Sequence, residues 1–270
     1  MTLKFGMTGS TGSLGKNFIS NNKNINFFCY KGDIRNKKKL LYWIKKNKFD
    51  ALLHLAAIVP IKVVNKNRKK AYSVNYVGTK NVVDSIISSE IKWFFFSSTS
   101  HVYGSTQKKI KESSSISPIS YYGKTKHLAE NYIINKLSNS KIRYCIGRIF
   151  STSNKNQKQN YLIPDLNKKI KKARIIIKLN NLNHYRDFIS MNEISKIILS
   201  LYKRKFKGVI NIGRGNGILL KDIARLICKR YKKKCTFVDN KKQTYLIANN
   251  TKLKRYHQFK KNMDLKDLIF

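Results

Sequence analysis

Short apolar runs alternate along this chain with stretches that are apolar on one helical face. "LKFGM", "INFFCY", "ALLHLAA", "KWFFFSS" and "IRYCIG" are continuous apolar runs, which is the pattern of strands covered on both faces. The segments near 36–47, 71–89 and 121–137 carry helical spacing between them. Strand and helix in alternation predict an α/β fold, a doubly wound parallel sheet. After Phe150 the pattern changes to a polar Asn/Lys/Gln loop, a short helical stretch after Pro164 and the strand-like "RIIIKL". A helix near 192–203 and the run "KGVINIG" then return to the main sheet. The expected division is a dinucleotide-binding half over 1–150, with 190–213 returning to it. A smaller, interleaved C-terminal lobe over 151–270 is left to bind substrate.

The first strand runs directly into "MTGSTGSLGKNF", which spaces Gly9, Gly12 and Gly15 three apart at the start of a helix. Glycines there let the backbone approach a pyrophosphate, and the helix N-terminus, with Ser13 and Leu14 in its first turn, offers free N–H groups and a positive dipole end. Strand, glycine triplet and helix in that order predict a Rossmann-type dinucleotide site. Asp33 of "KGDIRN" stands 18 residues beyond Gly15, about where an acid meets the adenosine ribose. Lys31 and Arg35 flank it and are suited to a 2′-phosphate, so the sequence is compatible with NAD and with NADP.

The fourth apolar run ends in hydroxyls, "SSTSHVYG", and such sheets bind ligands beyond the carboxyl ends of their strands. Further on, "YYGKTK" places Tyr122 and Lys126 four apart, on one face of a helix. An ammonium held beside a phenol favours phenolate and brings its pKa, ordinarily about 10, toward neutrality. Tyr122 is then able to exchange a proton while a nicotinamide exchanges hydride.

Composition changes the picture in one respect. The formal net charge of +44 invites a nucleic-acid reading, but the lysines are scattered among abundant Asn, Ile, Phe and Tyr, residues favoured by AT-rich codons. Only weak, nonspecific binding to nucleic acid is expected. The cysteines Cys29, Cys145, Cys228 and Cys235 form no CxxC pair, so no metal site is expected and free thiols are. No charged leader precedes the first strand and no run reaches the length of a membrane span, so a soluble, cytoplasmic protein is expected.

Taken together, "TGSTGSLG", "GDIRN", "HLAA", "YSVNYVGTKN", "SSTSHVYG", "YYGKTK", "RDFIS" and "GVINIGRGN" resemble the extended short-chain dehydrogenase/reductase family, in its NAD-dependent epimerase/dehydratase group acting on nucleotide sugars. The resemblance runs from about residue 2 to a last helix near 264–269. It implies that Gly9, Gly12 and Gly15 hold the pyrophosphate, that Asp33 and Ile34 contact adenine, and that Leu55, Ala56 and Ala57 line the cofactor cleft. Asn75 orders the site, Ser97 and Ser98 serve backbone and cofactor groups, and Lys126 grips the nicotinamide ribose. Tyr122 is the implied acid/base, and Thr99 binds the reacting sugar oxygen. Arg186 matches a position that contacts the substrate diphosphate. A homodimer through the helices beginning near Ala71 and Tyr121 is likewise implied, as is a setting in polysaccharide or lipid-linked glycan synthesis.

Departures from the family pattern narrow the activity. Dehydratases of the group carry an Asp-Glu pair after the threonine, because eliminating water needs both an acid and a base; here Ser100 and His101 stand there. Dehydration is therefore disfavoured. His101 occupies the place of a proton-transferring cysteine in enzymes similar to GDP-fucose synthase, and an imidazole suits that work or a substrate contact. No companion acid is evident over 152–163. Ser151 stands where many relatives place an asparagine against the sugar nucleotide, and the short segment before "GDIRN" keeps Asp33 from serving both ribose and adenine. The expected function is a UDP-glucose 4-epimerase-like activity with NAD or NADP, NAD preferred; reduction of a 4-keto-6-deoxy sugar nucleotide is the alternative, and a cofactor-binding regulator without turnover is a third reading, which the intact Thr99, Tyr122 and Lys126 argue against.

Overall fold

The computed structural model describes residues 2–153, 157, 161–259 and 268. The expected helix near 264–269 lies outside the described residues except for Leu268. Two compact units are present: 1–104, 115–149 and 191–210 form the first, and 105–114, 150–190 and 211–270 form the second. The segment 105–114, which the sequence pattern left with the dinucleotide half, groups with the second unit.

The first unit is built on β1 (Lys4–Thr8), β2 (Asn26–Tyr30), β3 (Ala51–His54), β4 (Trp93–Thr99), β5 (Arg143–Ile149) and a strand at Gly208–Ile212. They form one sheet in the order β2-β1-β3-β4-β5 followed by Gly208–Ile212, and the first four pairings are parallel. The chain moves outward from β1 to β2 and then crosses to β3 on the other side. The carboxyl ends of β1 and β3 thus flank the switch point, where such sheets bind ligands. Phe94, Phe95 and Phe96 are fully buried, as a strand covered on both faces requires. Each contributes about 2 kcal/mol through removal from water. On the other flank, the Trp93 indole donates a 2.9 Å hydrogen bond to the Phe206 carbonyl.

Helices α1 (Ser13–Asn21), α2 (Lys37–Lys46), α3 (Ile61–Lys66), α4 (Arg68–Tyr72), α5 (Thr79–Ile87) and α6 (Tyr121–Leu137) follow in this unit. The helix expected over 71–89 is not uniform, because a wider π-helical turn at Ser73–Gly78 joins α4 to α5. Such turns accompany functional sites often enough to direct attention to Asn75 within it. Gly78, the last residue of the turn, lies against Ile34: a Cβ there would meet Ile34 Cδ1 at 2.6 Å. Ile34 is thereby packed on the helix, with its carbonyl accepting a 3.1 Å hydrogen bond from Asn81.

In the second unit, His184–Ser190 pairs with Gly217–Leu219, Thr244–Leu246 and Ser151–Ser153, while Ile176–Asn180 pairs with Lys234–Val238. Helices Leu162–Lys172 and Leu220–Arg230 share an apolar core containing Ile163, Leu166, Ile170, Ile223 and Ile227. Asp187 is fully buried, and its carboxylate accepts the backbone N–H groups of Arg214, Gly215 and Ala248 at 2.8–3.1 Å. Burial outweighs those bonds and pushes the carboxyl up to about 6.

Candidate active site

The glycine loop has the form the sequence predicts. Gly9 adopts a φ of 75°, and a Cβ there would sit 2.5 Å from the Ala56 nitrogen, in the chain leaving β3. A Cβ at Gly15 would sit 2.5 Å from the Gly9 carbonyl oxygen, so only glycine lets α1 start this close to the loop. Gly12 is the N-cap residue of α1 and brings no capping side chain, which leaves the first-turn N–H groups, including those of Ser13 and Leu14, for an anion. Leu55, Ala56 and Ala57 follow β3 half-buried, with the Leu55 N–H bonded to the Thr8 carbonyl at 3.1 Å. These are the features of a cradle for a dinucleotide pyrophosphate, and the residues present fit that group.

Asn75 reaches from the π-helical turn to that same loop. Its side-chain oxygen accepts from the Ile58 N–H at 2.7 Å, and its amide nitrogen donates to the Ile58 carbonyl at 3.2 Å and to Thr125 Oγ1 at 3.3 Å. One buried amide thus ties the loop after β3 to α6.

The hydroxyl run at the end of β4 divides by strand alternation. Ser98 is buried and donates to Glu130 rather than to a cofactor group, which corrects the expectation for that residue. Ser97 is half-buried on the opposite face. Thr99 closes the strand, and its Oγ1 accepts the N–H of His101 at 3.2 Å, starting a short 3₁₀ turn over Ser100–Val102. Ser100 is buried within that turn.

Helix α6 starts beside it, capped by Ser120, whose hydroxyl accepts the Gly123 N–H at 3.1 Å. A Cβ on Gly123 would lie 2.1 Å from the His101 carbonyl oxygen, so the glycine after Tyr122 is what lets α6 meet the turn. The consequence is an edge-to-face pair of the His101 and Tyr122 rings, with centroids 6.2 Å apart. One turn on, Lys126 is 1% exposed, with its Nζ 3.8 Å from the centre of the Phe96 ring. Burial pushes its ammonium down to about 7, and the Glu130 carboxylate one turn further opposes that fall.

Glu130 is itself 1% exposed and is held by the Arg148 guanidinium at 2.7 Å and by Ser98. Arg148 Nη1 donates to the Tyr103 hydroxyl at 2.8 Å, closing a buried network from β4 and β5 to α6. His54, at the end of β3, bridges Thr8 Oγ1 at 2.6 Å and Thr79 Oγ1 at 2.9 Å. Burial, helped by the nearby Lys126, pushes its imidazole down to about 3, so it is neutral and structural. Sequence reasoning missed both groups. The signal available was the spacing of Lys126 and Glu130, four apart on the face already assigned to Tyr122.

The Asp33 carboxylate is committed to Arg35, which donates from its backbone N–H at 2.9 Å and from Nε and Nη2. Those bonds hold the acid below the usual carboxylate range. Ser151 and Arg186 belong to the second unit. Ser151 lies level with Phe188 in a parallel pair, and Arg186 Nη1 donates to the Tyr185 and Thr244 carbonyls and to Thr244 Oγ1 at 2.7–3.3 Å.

The family model for GDP-mannose 4,6 dehydratase matches residues 5–269. The chain belongs to that family. It therefore falls in the epimerase/dehydratase group of extended short-chain dehydrogenases/reductases that its motifs resemble. The chain is 31% identical over 238 residues to GDP-6-deoxy-D-talose 4-dehydrogenase of Aggregatibacter actinomycetemcomitans, with 84% of this chain and 80% of that protein covered. It is 28% identical to UDP-glucose 4-epimerase of Mycoplasma genitalium, covering 93% of this chain and 85% of that one. Among solved structures it is similar to RMD from Pseudomonas aeruginosa complexed with NADPH, with TM-score 0.87, 17% identity and coverage of 99% and 96%. The Thermus thermophilus UDP-glucose 4-epimerase complex with NAD gives TM-score 0.86, 15% identity and coverage of 98% and 96%. At these identities the structural likenesses establish the fold. Among the described residues no helix is long and apolar enough to cross a membrane.

Proposed function

We propose that this protein is a nicotinamide-dependent oxidoreductase acting at the C4 position of a nucleotide-linked sugar, working as a 4-keto reductase or, in reverse, a 4-dehydrogenase. What supports the reading is the position of Thr99 at the carboxyl end of β4, beside the start of the helix that carries Tyr122 and Lys126, in the sheet whose first loop is the glycine cradle. The talose 4-dehydrogenase relative supports this direction, and the Mycoplasma epimerase supports 4-epimerisation as the second reading. Replacement of the acidic pair by Ser100 and His101 argues against dehydration.

Gly9, Gly12, Gly15, Ser13 and Leu14 would hold the dinucleotide, with Ala56 and Ala57 beside it and Lys126 on its ribose. The dinucleotide supplies or accepts the hydride at the sugar carbon. Tyr122 gives its phenolic proton to the keto oxygen in reduction and takes it back in oxidation. Thr99 steers that oxygen, and Lys126 contributes the positive charge that favours phenolate. His101, set against the Tyr122 ring by the Gly123 contact, walls the substrate side. Ser151 and Arg186 are assigned to substrate. The exposed Tyr72, Val77 and Leu128 on α4, the π-helical turn and α6 support pairing of two copies there, and a monomer's mass in sedimentation at micromolar concentration would refute it.

The test is to denature freshly purified protein and identify any released dinucleotide by mass spectrometry, then assay 4-keto sugar nucleotides. An empty protein that oxidises added reduced dinucleotide only with a keto sugar supports the reductase. Stoichiometric retained NAD, with interconversion of C4 epimers, replaces it with the epimerase. Tyr122→Phe should remove either activity.

A further inference from the structure

We propose that the end of the second unit where helices Leu162–Lys172 and Leu220–Arg230 finish is a docking surface for the anionic headgroups of a lipid bilayer, with Ile175 and Ile176 entering the interface. The association is peripheral and needs no spanning segment.

Six of the eleven residues over 168–178 are Lys or Arg, as are five of the six over 229–234, and neither stretch holds an Asp or Glu. Far apart in the chain, the two become neighbours because Ile176–Asn180 and Lys234–Val238 pair in parallel, with Ile176 level with Lys234. The Lys234 N–H bonds the Ile175 carbonyl at 2.9 Å, and Lys233 Nζ donates to the Arg174 carbonyl. Three residues separate each helix from its strand, so the helix ends, with Lys171, Lys172 and Arg230 exposed on them, meet at one end of the strand pair. Asp165 and Asp222 sit in the first turns of the same helices, at their far ends. A helix C-terminus takes a cation readily, which accounts for some of this charge.

It does not account for the two aliphatic side chains that stand among the cations. Ile177 packs on the core of the unit, so strand alternation turns Ile176 outward. Ile176 is 63% exposed, and Ile175 before it is 69% exposed. An anionic bilayer surface matches both features, since its phosphates meet the cations while its acyl boundary takes the isoleucines out of water. Single-stranded nucleic acid would match the charge, but it is held by stacking on exposed aromatic rings. The one aromatic of the two stretches, Tyr231, packs on the core. A second copy of this surface would be repelled.

The experiment is sedimentation of the full chain with vesicles at about 0.15 M salt, made of phosphatidylcholine alone or with roughly 30% phosphatidylserine. The protein should pellet with the anionic vesicles only. Lys171→Gln, Lys172→Gln and Arg230→Gln together should weaken binding at least about tenfold, since each cation near such a surface contributes a factor of roughly five. The same charge removed from α2 by Lys38→Gln, Lys39→Gln and Lys45→Gln should change it by less than about threefold, because distant charges are screened. That contrast separates a built surface from the general attraction of a chain with net charge +44. Ile175→Thr with Ile176→Thr keeps the charge and the strand preference and should weaken binding about fivefold, with urea unfolding unchanged. No binding to anionic vesicles, equal losses from the two charge variants, or full binding by the isoleucine variant overturns the proposal. Tighter binding of a single-stranded oligoribonucleotide, insensitive to the isoleucine change, overturns it in favour of nucleic acid.

Discussion

Lys126→Met should make the unliganded protein more stable while destroying its activity. The side chain is buried against Phe96, and its ammonium titrates near 7 in the fold against 10.5 for the free side chain. A proton is therefore bound less tightly by the folded state than by the unfolded one. The resulting penalty is complete below pH 7 and fades as pH rises from there toward 10.5. The displacement corresponds to about 5 kcal/mol against folding at pH 6 and about 2 kcal/mol at pH 9. Methionine fills a similar volume without charge, and Glu130 keeps Arg148 as its partner. Urea denaturation of nucleotide-free protein at pH 6, 7.5 and 9 is the assay. The wild type should gain about 3 kcal/mol relative to the variant across that range, since groups distant from Lys126 titrate alike in both proteins. Parallel pH dependences for the two proteins would sink the argument. A variant that is more stable and also active would show that Lys126 is not the cofactor contact proposed above.

Two further predictions concern the supports of the site. Glu130→Gln strands the Arg148 guanidinium, whose side chain is 6% exposed, and should cost about 3 kcal/mol. For a chain of this size that is a fall of roughly 6–12 °C in Tm. Because the fold holds Glu130 below its ordinary range, its contribution is present above about pH 4.3 and is lost as pH falls, so wild type and variant should converge in acid. An unchanged melt at pH 7 would mean that the network is not holding β4 to α6. Gly123→Ala adds a methyl 2.1 Å from the His101 carbonyl, so the 3₁₀ turn or the start of α6 must move. A shift of about 1 Å between Tyr122 and Thr99 should lower kcat by roughly 100-fold. Because the methyl meets backbone, the variant should also lose about 1–3 kcal/mol of stability, only partly offset by alanine's helix preference of about 1 kcal/mol; full turnover with an unchanged melt would count against the contact.

Most of the main sheet was legible because its strands are apolar on both faces, and the places of the glycine triplet on the loop after β1 and of Tyr122 and Lys126 on α6 could be read because each sits at a fixed offset from a strand end or helix start; Thr99 was singled out by the family resemblance. The π-helical turn was not, since "YSVNYVGTKN" keeps helical spacing and the extra residue per turn follows from Asn75 reaching Ile58 and Ile34 reaching Gly78, contacts made across long stretches of chain. The pairing within the second unit was equally hidden, because its strands are short and half polar, and its register depends on partners such as Asp187 with Ala248, 61 residues apart.

The hydroxyl run shows how such a site divides its labour. Four consecutive hydroxyls read as one feature, yet alternation along β4 gives Ser98 and Thr99 opposite faces and therefore different work. Ser98 joins Glu130 and Arg148, and that network fixes the face of α6 that carries Lys126. Thr99 instead accepts from His101 and ends the strand where Gly123 admits the helix. The unfavourable burial of Lys126 is sustained by this surrounding order: a lysine left to relax would turn its ammonium to water, and here Phe96 below and Glu130 one turn away leave it pointed inward. Loss of Glu130 should then depress the lysine further. That couples the two predictions above, since the Lys126→Met gain in stability should be larger in a Glu130→Gln background than in the wild type, and simple additivity of the two substitutions would argue that the residues act apart.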